Sequence, residues 1–424
     1  MLTIKYIEEH REEVIRRLAV KGFQAGEIVG QLLDTDMQRK KLQTQADHLQ
    51  ASLNAQSKEI GIMMKSGQKV LAESLKQEVA SMKERAAGLI SEQEVAEQKL
   101  KELLVLLPNL PHESVPQGKT AADNVIVRSG GAMPDLPSDA LPHWELAKRF
   151  DLIDFELGVK LTGAGFPVYK GKGARLQRAL IGFFLDRAQD AGYREVIPPL
   201  MVNEDSGFGT GQLPDKEGQM YHVGLDNFYL IPTAEVPVTN IYRDVILELA
   251  DFPVKLTAYT PCFRREAGSY GKDVRGLNRL HQFDKVEIVR IEHPERSYQA
   301  LDEMVAYVES LLQKLELPYR IVKLCGGDMS FTSALTYDFE VYSAAQNMWL
   351  EVSSVSNFES FQANRLKLRY RDEHSKKPQL AHTLNGSALA LPRIVAALLE
   401  NRQTTNAIRL PKVLHQYTGF DVIH

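Results

Sequence analysis

The sequence has few of the residues that build disulfide networks, metal clusters or membrane spans. Only two of its 424 residues are cysteines, Cys262 and Cys325, which excludes a disulfide framework and a multi-cysteine zinc site. The longest weakly charged stretch, from Pro378 to Pro392, is too short and too polar to cross a bilayer. The start, MLTIKYIEEHREE, carries charge where a signal peptide needs an apolar run. We therefore expect a cytoplasmic protein with no membrane segment.

A large excess of positive or negative charge is also missing. The chain has 51 Lys and Arg against 55 Asp and Glu, which gives a formal net charge of -4. An RNA partner would thus have to meet a local basic surface, because the overall field does not attract it. A length of 424 residues exceeds one ordinary hydrophobic core, so we expect two domains.

Residues 1–107 are predicted to form a helical domain with a long antiparallel coiled-coil arm, because apolar residues recur there with heptad spacing. One seam consists of Leu42, Ala46, Leu49, Leu53, Gln56, Ile60 and Met63. The other consists of Leu75, Val79, Met82, Ala86, Leu89, Gln93, Ala96, Leu100, Leu103 and Leu107. Between them, SGQ at residues 66–68 predicts the connection of the two helices. Periodicity alone is typical of a spacer or a dimerisation element.

Beyond residue 107 the pattern changes. Six prolines fall between Pro108 and Pro142, which predicts a linker over residues 108–142 that leads into a second domain, residues 143–424. In that domain, helical patterns mix with strand-like runs without regular alternation, and a Gly-rich dinucleotide turn is missing from the sequence. This pattern favours an α+β fold with an antiparallel sheet.

The strongest chemical signal is a basic loop between two strand-like runs, FRREAGSYGKDVRGLNRLHQF at residues 263–283. Its basic side chains are Arg264, Arg265, Lys272, Arg275 and Arg279. Several guanidinium groups in one loop suit a polyphosphate better than a carboxylate, and the ring of Phe283 offers a face to a purine. A basic loop that stands alone is more often a solvated hairpin.

Polar groups elsewhere favour a binding site over a solvated hairpin. Two carboxylates near a phosphate site are suited to an ammonium group, and acidic and hydroxyl oxygens are suited to Mg²⁺. These groups are Thr233, Glu235 and Glu287 for the ammonium, Glu351, Ser353 and Ser354 for the metal, and Asn385, Ser387 and Arg393 in LNGSALALPR. Sites for phosphate, metal and ammonium together predict amino-acid activation by ATP.

The order of these motifs resembles seryl-tRNA synthetases, a branch of the class II aminoacyl-tRNA synthetases, along essentially the whole chain. Residues 263–283 resemble class II motif 2, LNGSALALPRIVAALLENRQ resembles motif 3, and AGYREVIPP resembles motif 1. TAE, SGFGTGQLP and EVSSVSNFESFQANR are similar to stretches of the seryl branch. The resemblance implies a class II antiparallel catalytic sheet flanked by helices, an arm that grips tRNA, and a homodimer.

The resemblance also implies the roles of individual residues. ATP contacts are implied for Arg264, Arg265, Glu266, Arg279, Leu280, Phe283, Glu351, Val352, Ser353, Ser354 and Arg393. Serine contacts are implied for Thr233, Ala234, Glu235, Arg264, Glu287, Asn385 and Ser387. Arg264 and Arg393 are the implied catalytic cations, and Glu351 with Ser354 would bind Mg²⁺. We expect the loop tip, with Lys272 and Arg275, to meet the acceptor end of tRNA.

The implied reaction is ATP-dependent ligation of L-serine to tRNA(Ser) through seryl-adenylate, with tRNA(Sec) serylated where it exists. One alternative is activation followed by transfer to a carrier protein, for which we expect a shortened arm. Another is an inactive RNA-binding descendant, for which we expect broken phosphate and serine sites. Four residues depart from the family pattern without being assigned to the site: Leu335, Tyr342, Ala388 and Pro392.

Overall fold

The computed structural model describes residues 1–215, 218–266, 275–372 and 377–424. The described helices are α1 (Ile4–Glu9), α2 (Arg11–Val20), α3 (Gly26–Lys65), α4 (Lys69–Leu106), α5 (His143–Arg149), α6 (Phe155–Leu161), α7 (Gly171–Asp190), α8 (Glu204–Thr210), α9 (Glu235–Asn240), α10 (Ser297–Lys314), α11 (Ser360–Leu366), α12 (Leu391–Asn401) and α13 (His415–Thr418). Not one of these described helices combines the length and apolar composition needed to cross a membrane.

The described strands run in chain order from β1 to β18. They are β1 (Val125–Gly130), β2 (Ile153–Asp154), β3 (Val168–Tyr169), β4 (Arg194–Glu195), β5 (Met201–Val202), β6 (His222–Val223), β7 (Phe228–Leu230), β8 (Ile246–Leu247), β9 (Val254–Phe263), β10 (Gln282–Glu292), β11 (Tyr319–Lys323), β12 (Leu335–Ser343), β13 (Met348–Asn357), β14 (Arg369–Tyr370), β15 (Gln379–Leu380), β16 (His382–Ala390), β17 (Ile408–Arg409) and β18 (Val422–Ile423). The chain divides into one unit of residues 2–19 and 23–108 and another of Met1, residues 20–22 and residues 109–424.

Two long helices make up most of the first unit. α3 has 40 residues and α4 has 38, and they pack against each other on either side of the connection at residues 66–68. All residues of both predicted seams are buried or half-buried. Leu53, Val79 and Ala86 form a buried cluster between the helices. The prediction of a helical hairpin is confirmed.

A sheet of eight strands lies at the centre of the second unit. Its order is β1-β11-β12-β13-β16-β10-β9-β4. All neighbours in this sheet are antiparallel except β4, a two-residue strand that runs parallel to β9 at one edge. The predicted antiparallel α+β fold is therefore confirmed, with one short parallel addition. The Pro-rich stretch contributes β1, which pairs with β11 at the other edge.

The two faces of the sheet have different chemistry. Side chains alternate between faces along a strand, and on β10 Val286 and Ile288 enter the main core, to which α7, α10 and α12 contribute. Val289 on the opposite face packs with Ala234 and the α9 residue Val238. Lys285 and Glu287 have the same alternation as Val289. The central strand therefore carries charged groups on the face that α9 borders.

The arm gives a prediction about stability. Leu53→Ala removes a side chain buried between α3 and α4, so we expect the arm to lose about 2 kcal/mol of stability. Hydrogen exchange measured on peptides from α3 and α4 of the full chain should accelerate accordingly. Ile62→Ala on the exposed face of α3 is the matched control and should leave exchange unchanged. Equal exchange in both variants would contradict the packed seam.

Candidate active site

β9 and β10 form the hairpin that the basic loop predicts. Phe283 of β10 lies opposite Cys262 of β9, and the Arg264 N–H extends the ladder by donating to the His281 carbonyl oxygen at 2.9 Å. The described residues continue at Arg275 after Glu266. Residues 267–274, with Lys272 and most of the predicted tRNA-contacting tip, lie outside the described residues.

The base of the hairpin brings together four of the predicted ATP-binding side chains. The Arg264 guanidinium lies over the Phe283 ring, 5.2 Å from its centroid, and its Nε donates to a main-chain oxygen at 3.4 Å. We call residues 264–266 the outgoing limb of the loop and residues 275–281 its returning limb. Glu266 accepts a hydrogen bond from Nε of Arg279, so an ion pair joins the two limbs. The Arg265 side chain is exposed, and its main-chain N–H donates to the Gln219 carbonyl oxygen at 2.8 Å.

Arg393 connects this hairpin with the next strands of the sheet. Its Nε donates to the Asn278 carbonyl oxygen at 2.9 Å, and its Nη1 donates to the Glu351 carbonyl oxygen at 2.6 Å. The helix α12 begins at Leu391 and holds Arg393 in its first turn. Pro392 fits that turn, since the N–H groups there need no partner within the helix.

A second group of predicted residues forms a buried acidic pocket. Thr233 Oγ1 donates to Glu287 Oε2 at 3.1 Å, and the Lys285 ammonium lies 2.5 Å from the same oxygen. Glu235 begins α9, and its Oε1 accepts from Gln362 at 2.6 Å. Burial, followed by the nearby charge of Glu287, raises the pKa of Glu235 to about 7.

β16 forms one wall of this pocket. Ser387 lies opposite Glu287 in the strand ladder, and Asn385 lies opposite Val289, so both share the face that carries Glu287. Both side chains are buried. The Ser387 carbonyl oxygen accepts from Ser353 Oγ at 2.6 Å, which joins β16 to β13. The pocket is thus lined by hydroxyl, amide and carboxyl groups that can bind a small polar molecule.

The two proposed Mg²⁺ ligands lie on β13 beside a third oxygen group. Ser354 is opposite Asp338 of β12, and Asp338 Oδ1 is buried with no hydrogen-bond partner among the described residues. Burial, then the charge of Glu351, raises the pKa of Asp338 well above its usual range. Oxygen donors with uncompensated negative charge suit a hard divalent cation. Within the described residues, no group of three or more His, Cys, Asp or Glu could hold a metal ion.

Two residues that are predicted to contact ATP have their side chains in the main core. Leu280 and Val352 are buried in the main core, so we expect a ligand to meet their main-chain atoms. Of the four departures from the family pattern, Leu335 and Ala388 are also core residues. Tyr342 packs its ring 5.2 Å from that of Trp349. Apolar packing therefore explains three of the departures, and Pro392 is explained by its helix turn.

Sequence reasoning missed Lys285 and Gln362, which contact the two acidic groups directly. Lys285 is two residues from Glu287 on the same face of a predicted strand, so strand alternation was a signal that could have found it. Gln362 lies in α11, far from Glu235 in sequence, and no local pattern indicates that the two residues meet.

Comparison with known proteins agrees with these motifs and with the fold. Residues 1–111 match the protein-family model for the seryl-tRNA synthetase N-terminal domain. Residues 221–402 match the model for the tRNA synthetase class II core domain (G, H, P, S and T).

Relatives extend this similarity to the full chain. A serine–tRNA ligase of Salinibacter ruber is 52% identical over 99% of this chain and 98% of its own, and one of Prosthecochloris aestuarii is 48% identical over 100% and 99%. The crystal structure of seryl-tRNA synthetase from Pyrococcus horikoshii complexed with ATP is 35% identical and superposes with a TM-score of 0.93, covering 100% of this chain and 99% of that one. The chain belongs to the seryl-tRNA synthetase family of class II aminoacyl-tRNA synthetases.

Proposed function

We propose that this protein activates L-serine with ATP and transfers the seryl group to tRNA(Ser). The observation that carries the proposal is the charge of the buried pocket. With both carboxylates ionised, Glu235 and Glu287 together carry one negative charge more than the Lys285 ammonium that pairs with Glu287 can balance. The ammonium group of an amino acid neutralises that charge, and buried charges require such partners. The serine–tRNA ligase relatives support serine as the amino acid.

The cationic groups at the hairpin base are suited to the phosphates of ATP. Arg264 lies over the ring of Phe283, the proposed adenine platform, and donates to the carbonyl oxygen of Pro232, next to Thr233 of the serine pocket. We therefore assign it to the α-phosphate and to the serine carboxylate. Arg279 and Arg393 take the outer phosphates. The ATP complex of the Pyrococcus horikoshii relative supports this assignment of the nucleotide.

The reaction needs no protein nucleophile. A carboxylate oxygen of serine attacks the α-phosphorus in line, the bond to the bridging oxygen breaks, and pyrophosphate leaves. Arg264 and Arg393 stabilise the negative charge that develops on the phosphate oxygens. The terminal adenosine hydroxyl of tRNA then attacks the seryl carbonyl carbon, and AMP leaves. Positioning and charge stabilisation supply the rate acceleration.

We propose that Glu351 and Ser354 hold Mg²⁺ together with phosphate oxygens, with Asp338 beside Ser354. When bound there, the ion would neutralise charge on the phosphates. The protein's own contribution is to fix the direction of these ligands, because Ser354 is held in the ladder opposite Asp338 and the Glu351 main chain is held by Arg393.

We further propose that residues 1–107 contribute a tRNA-binding arm and that residues 143–424 form a catalytic domain that dimerises in the cytoplasm. An apolar surface around the motif 1 stretch supports the dimer, because side chains of this kind in one region mark interaction sites. The exposed side chains are Ile197, Leu200, Met201, Leu225 and Phe228. Serylation of tRNA(Sec), where it exists, remains a prediction from the resemblance.

Serine-dependent pyrophosphate exchange tests the proposed activity. We expect purified protein with Mg²⁺ and ATP to exchange with serine and to reject alanine by roughly 10⁴-fold, because alanine leaves buried polar groups without partners. Glu287→Gln should lower kcat/KM for serine by about 100-fold through the lost charge on the ammonium partner. Pyrophosphate exchange assayed with each of the twenty amino acids measures this selectivity. No exchange with serine would refute the proposal.

The pKa of Glu235 predicts a pH dependence. Below about pH 7 this carboxyl becomes protonated and loses its attraction for the serine ammonium, which keeps its own proton. At saturating ATP, kcat/KM for serine should fall roughly tenfold per unit below pH 7 and level off above it, because this ratio reports the enzyme–ATP complex before serine binds. In the Glu235→Gln variant, kcat/KM for serine should be low and independent of pH in this range. A break near pH 7 that persists in this variant would assign it to another group.

The arm predicts a separation of the two half-reactions. Removal of residues 30–100 should spare pyrophosphate exchange, since the proposed substrate contacts all lie beyond residue 232, while aminoacylation of tRNA should fall sharply. As a matched test in the full chain, replacement of the exposed lysines at the tip, Lys58, Lys65, Lys69 and Lys76, by alanine should weaken charging and flatten its salt dependence. An equal loss of exchange and charging would show that the arm only supports the fold.

A further inference from the structure

The first turn of α5 contacts the returning limb of the basic loop through three consecutive residues. The Leu277 N–H donates to Nε2 of His143 at 2.8 Å. The Arg275 guanidinium lies 4.7 Å from the centroid of the Trp144 ring and 3.8 Å from the Glu145 carboxylate. None of these three α5 residues is among the proposed substrate contacts.

His143 is completely buried and is held in one tautomer. Its Nδ1 lies 2.7 Å from Oε1 of Glu400, which also accepts from the His143 main-chain N–H at 2.9 Å. Because Nε2 accepts a hydrogen bond from Leu277, the ring proton lies on Nδ1 and is donated to Glu400. Burial by itself would raise the pKa of Glu400, but hydrogen bonds from His143 and Ser343 lower it below its ordinary value. Glu400 is therefore a buried carboxylate that accepts the Nδ1–H of His143.

The limb passes so close to the imidazole that a side chain would not fit. Gly276 has φ of +66°, and a Cβ at this position would fall 2.2 Å from His143 Nε2. The left-handed backbone and the close approach both require glycine. The position of the limb is thus set by direct contact with the ring.

A chain of hydrogen bonds connects the Glu400 carboxylate to two of the proposed phosphate-binding arginines, Arg279 and Arg393. Gln346 Nε2 donates to Glu400 at 3.0 Å, and Gln346 Oε1 accepts from Asn278 Nδ2 at 2.9 Å. Asn278 precedes Arg279 in the chain, and its carbonyl oxygen accepts from Arg393 Nε at 2.9 Å. Glu400 and Arg393 are seven residues apart in α12, two turns along one face.

We propose that His143 and Glu400 act as positioning residues for ATP, holding the returning limb so that Arg279 and Arg393 point at the phosphates. The inference rests on the proposed function, because that function assigns the two arginines to ATP. It predicts that loss of the His143 contact with Leu277 raises KM for ATP and leaves KM for serine unchanged. The serine pocket is built on β10, β16 and α9 and has its own contacts.

Two variants of His143 separate its two hydrogen bonds. An asparagine amide nitrogen takes the place of Nδ1, so His143→Asn keeps the bond to Glu400 and loses the bond to Leu277. A glutamine amide reaches the place of Nε2, so His143→Gln keeps an acceptor for Leu277. In serine-dependent exchange we expect KM for ATP to rise about tenfold in His143→Asn, the effect of roughly one lost hydrogen bond, and about threefold or less in His143→Gln. KM for serine should stay within about twofold in both.

Gln346→Ala provides a second test at a half-buried position, and it should raise KM for ATP in the same way. Glu309→Gln in α10 is the matched control for a buried acid, because Glu309 accepts from the Tyr319 hydroxyl at 2.7 Å in the same core without reaching the loop. This control should lower the melting temperature and leave both KM values unchanged. Rates are normalised to active sites titrated by adenylate formation.

A loss of active fraction with KM for ATP within twofold of the unmodified protein, in both His143→Asn and Gln346→Ala, would overturn the proposal and leave the network a purely structural role. An equal rise of KM for serine and ATP would also overturn it. If His143→Asn does not fold, Gln346→Ala decides. Failure of the proposed function is distinguishable, because the unmodified protein would then show no serine-dependent exchange.

Discussion

The burial of charge on one central strand is the constraint on which the site depends. β10 directs Val286 and Ile288 into the core and turns Lys285 and Glu287 to the opposite face, where both are still buried. A buried carboxylate requires partners, and Glu287 has an ammonium group and a hydroxyl. Glu235 accepts a hydrogen bond from the amide of Gln362, and no ion pair to Glu235 is found among the described residues. Burial therefore raises its pKa to about 7. The pocket therefore favours a ligand that supplies one positive charge.

The cationic half of the site follows from the order of the strands. β9, β10 and β16 are neighbours in the sheet and alternate in direction, so the end of β9, the start of β10 and the end of β16 lie at the same edge. Arg264 follows β9, Arg279 precedes β10, and Arg393 follows β16. Arg264 and Arg279 of the basic loop and Arg393 of α12 therefore lie there, next to the acidic pocket on the same strands. This adjacency would place the phosphates of ATP beside the amino acid, as the proposed adenylate formation requires.

The prediction of elements succeeded where the signal is local. Heptad spacing located both arm helices and their connection, because side-chain period depends only on neighbouring residues. The basic loop was predicted as a hairpin because the strand-like runs on both sides of it are also local patterns. β1 was placed in a linker, since its pairing with β11 joins segments almost two hundred residues apart and leaves no trace in its own sequence. The positions of Gln362 and His143 were missed because a single polar residue in a sequence does not reveal whether it is buried.

The sequence by itself determined the chemistry of the protein, since residue type decides which groups carry cations, carboxylates and hydroxyls, and local spacing decides the helices and strands that present them. Only the tertiary structure decided the state of those groups. The pKa of Glu235 depends on burial and on the charge of Glu287 from another element. The tautomer of His143 depends on Glu400, 257 residues away. Both are set by contacts between distant segments, and such contacts exist only after the chain has folded.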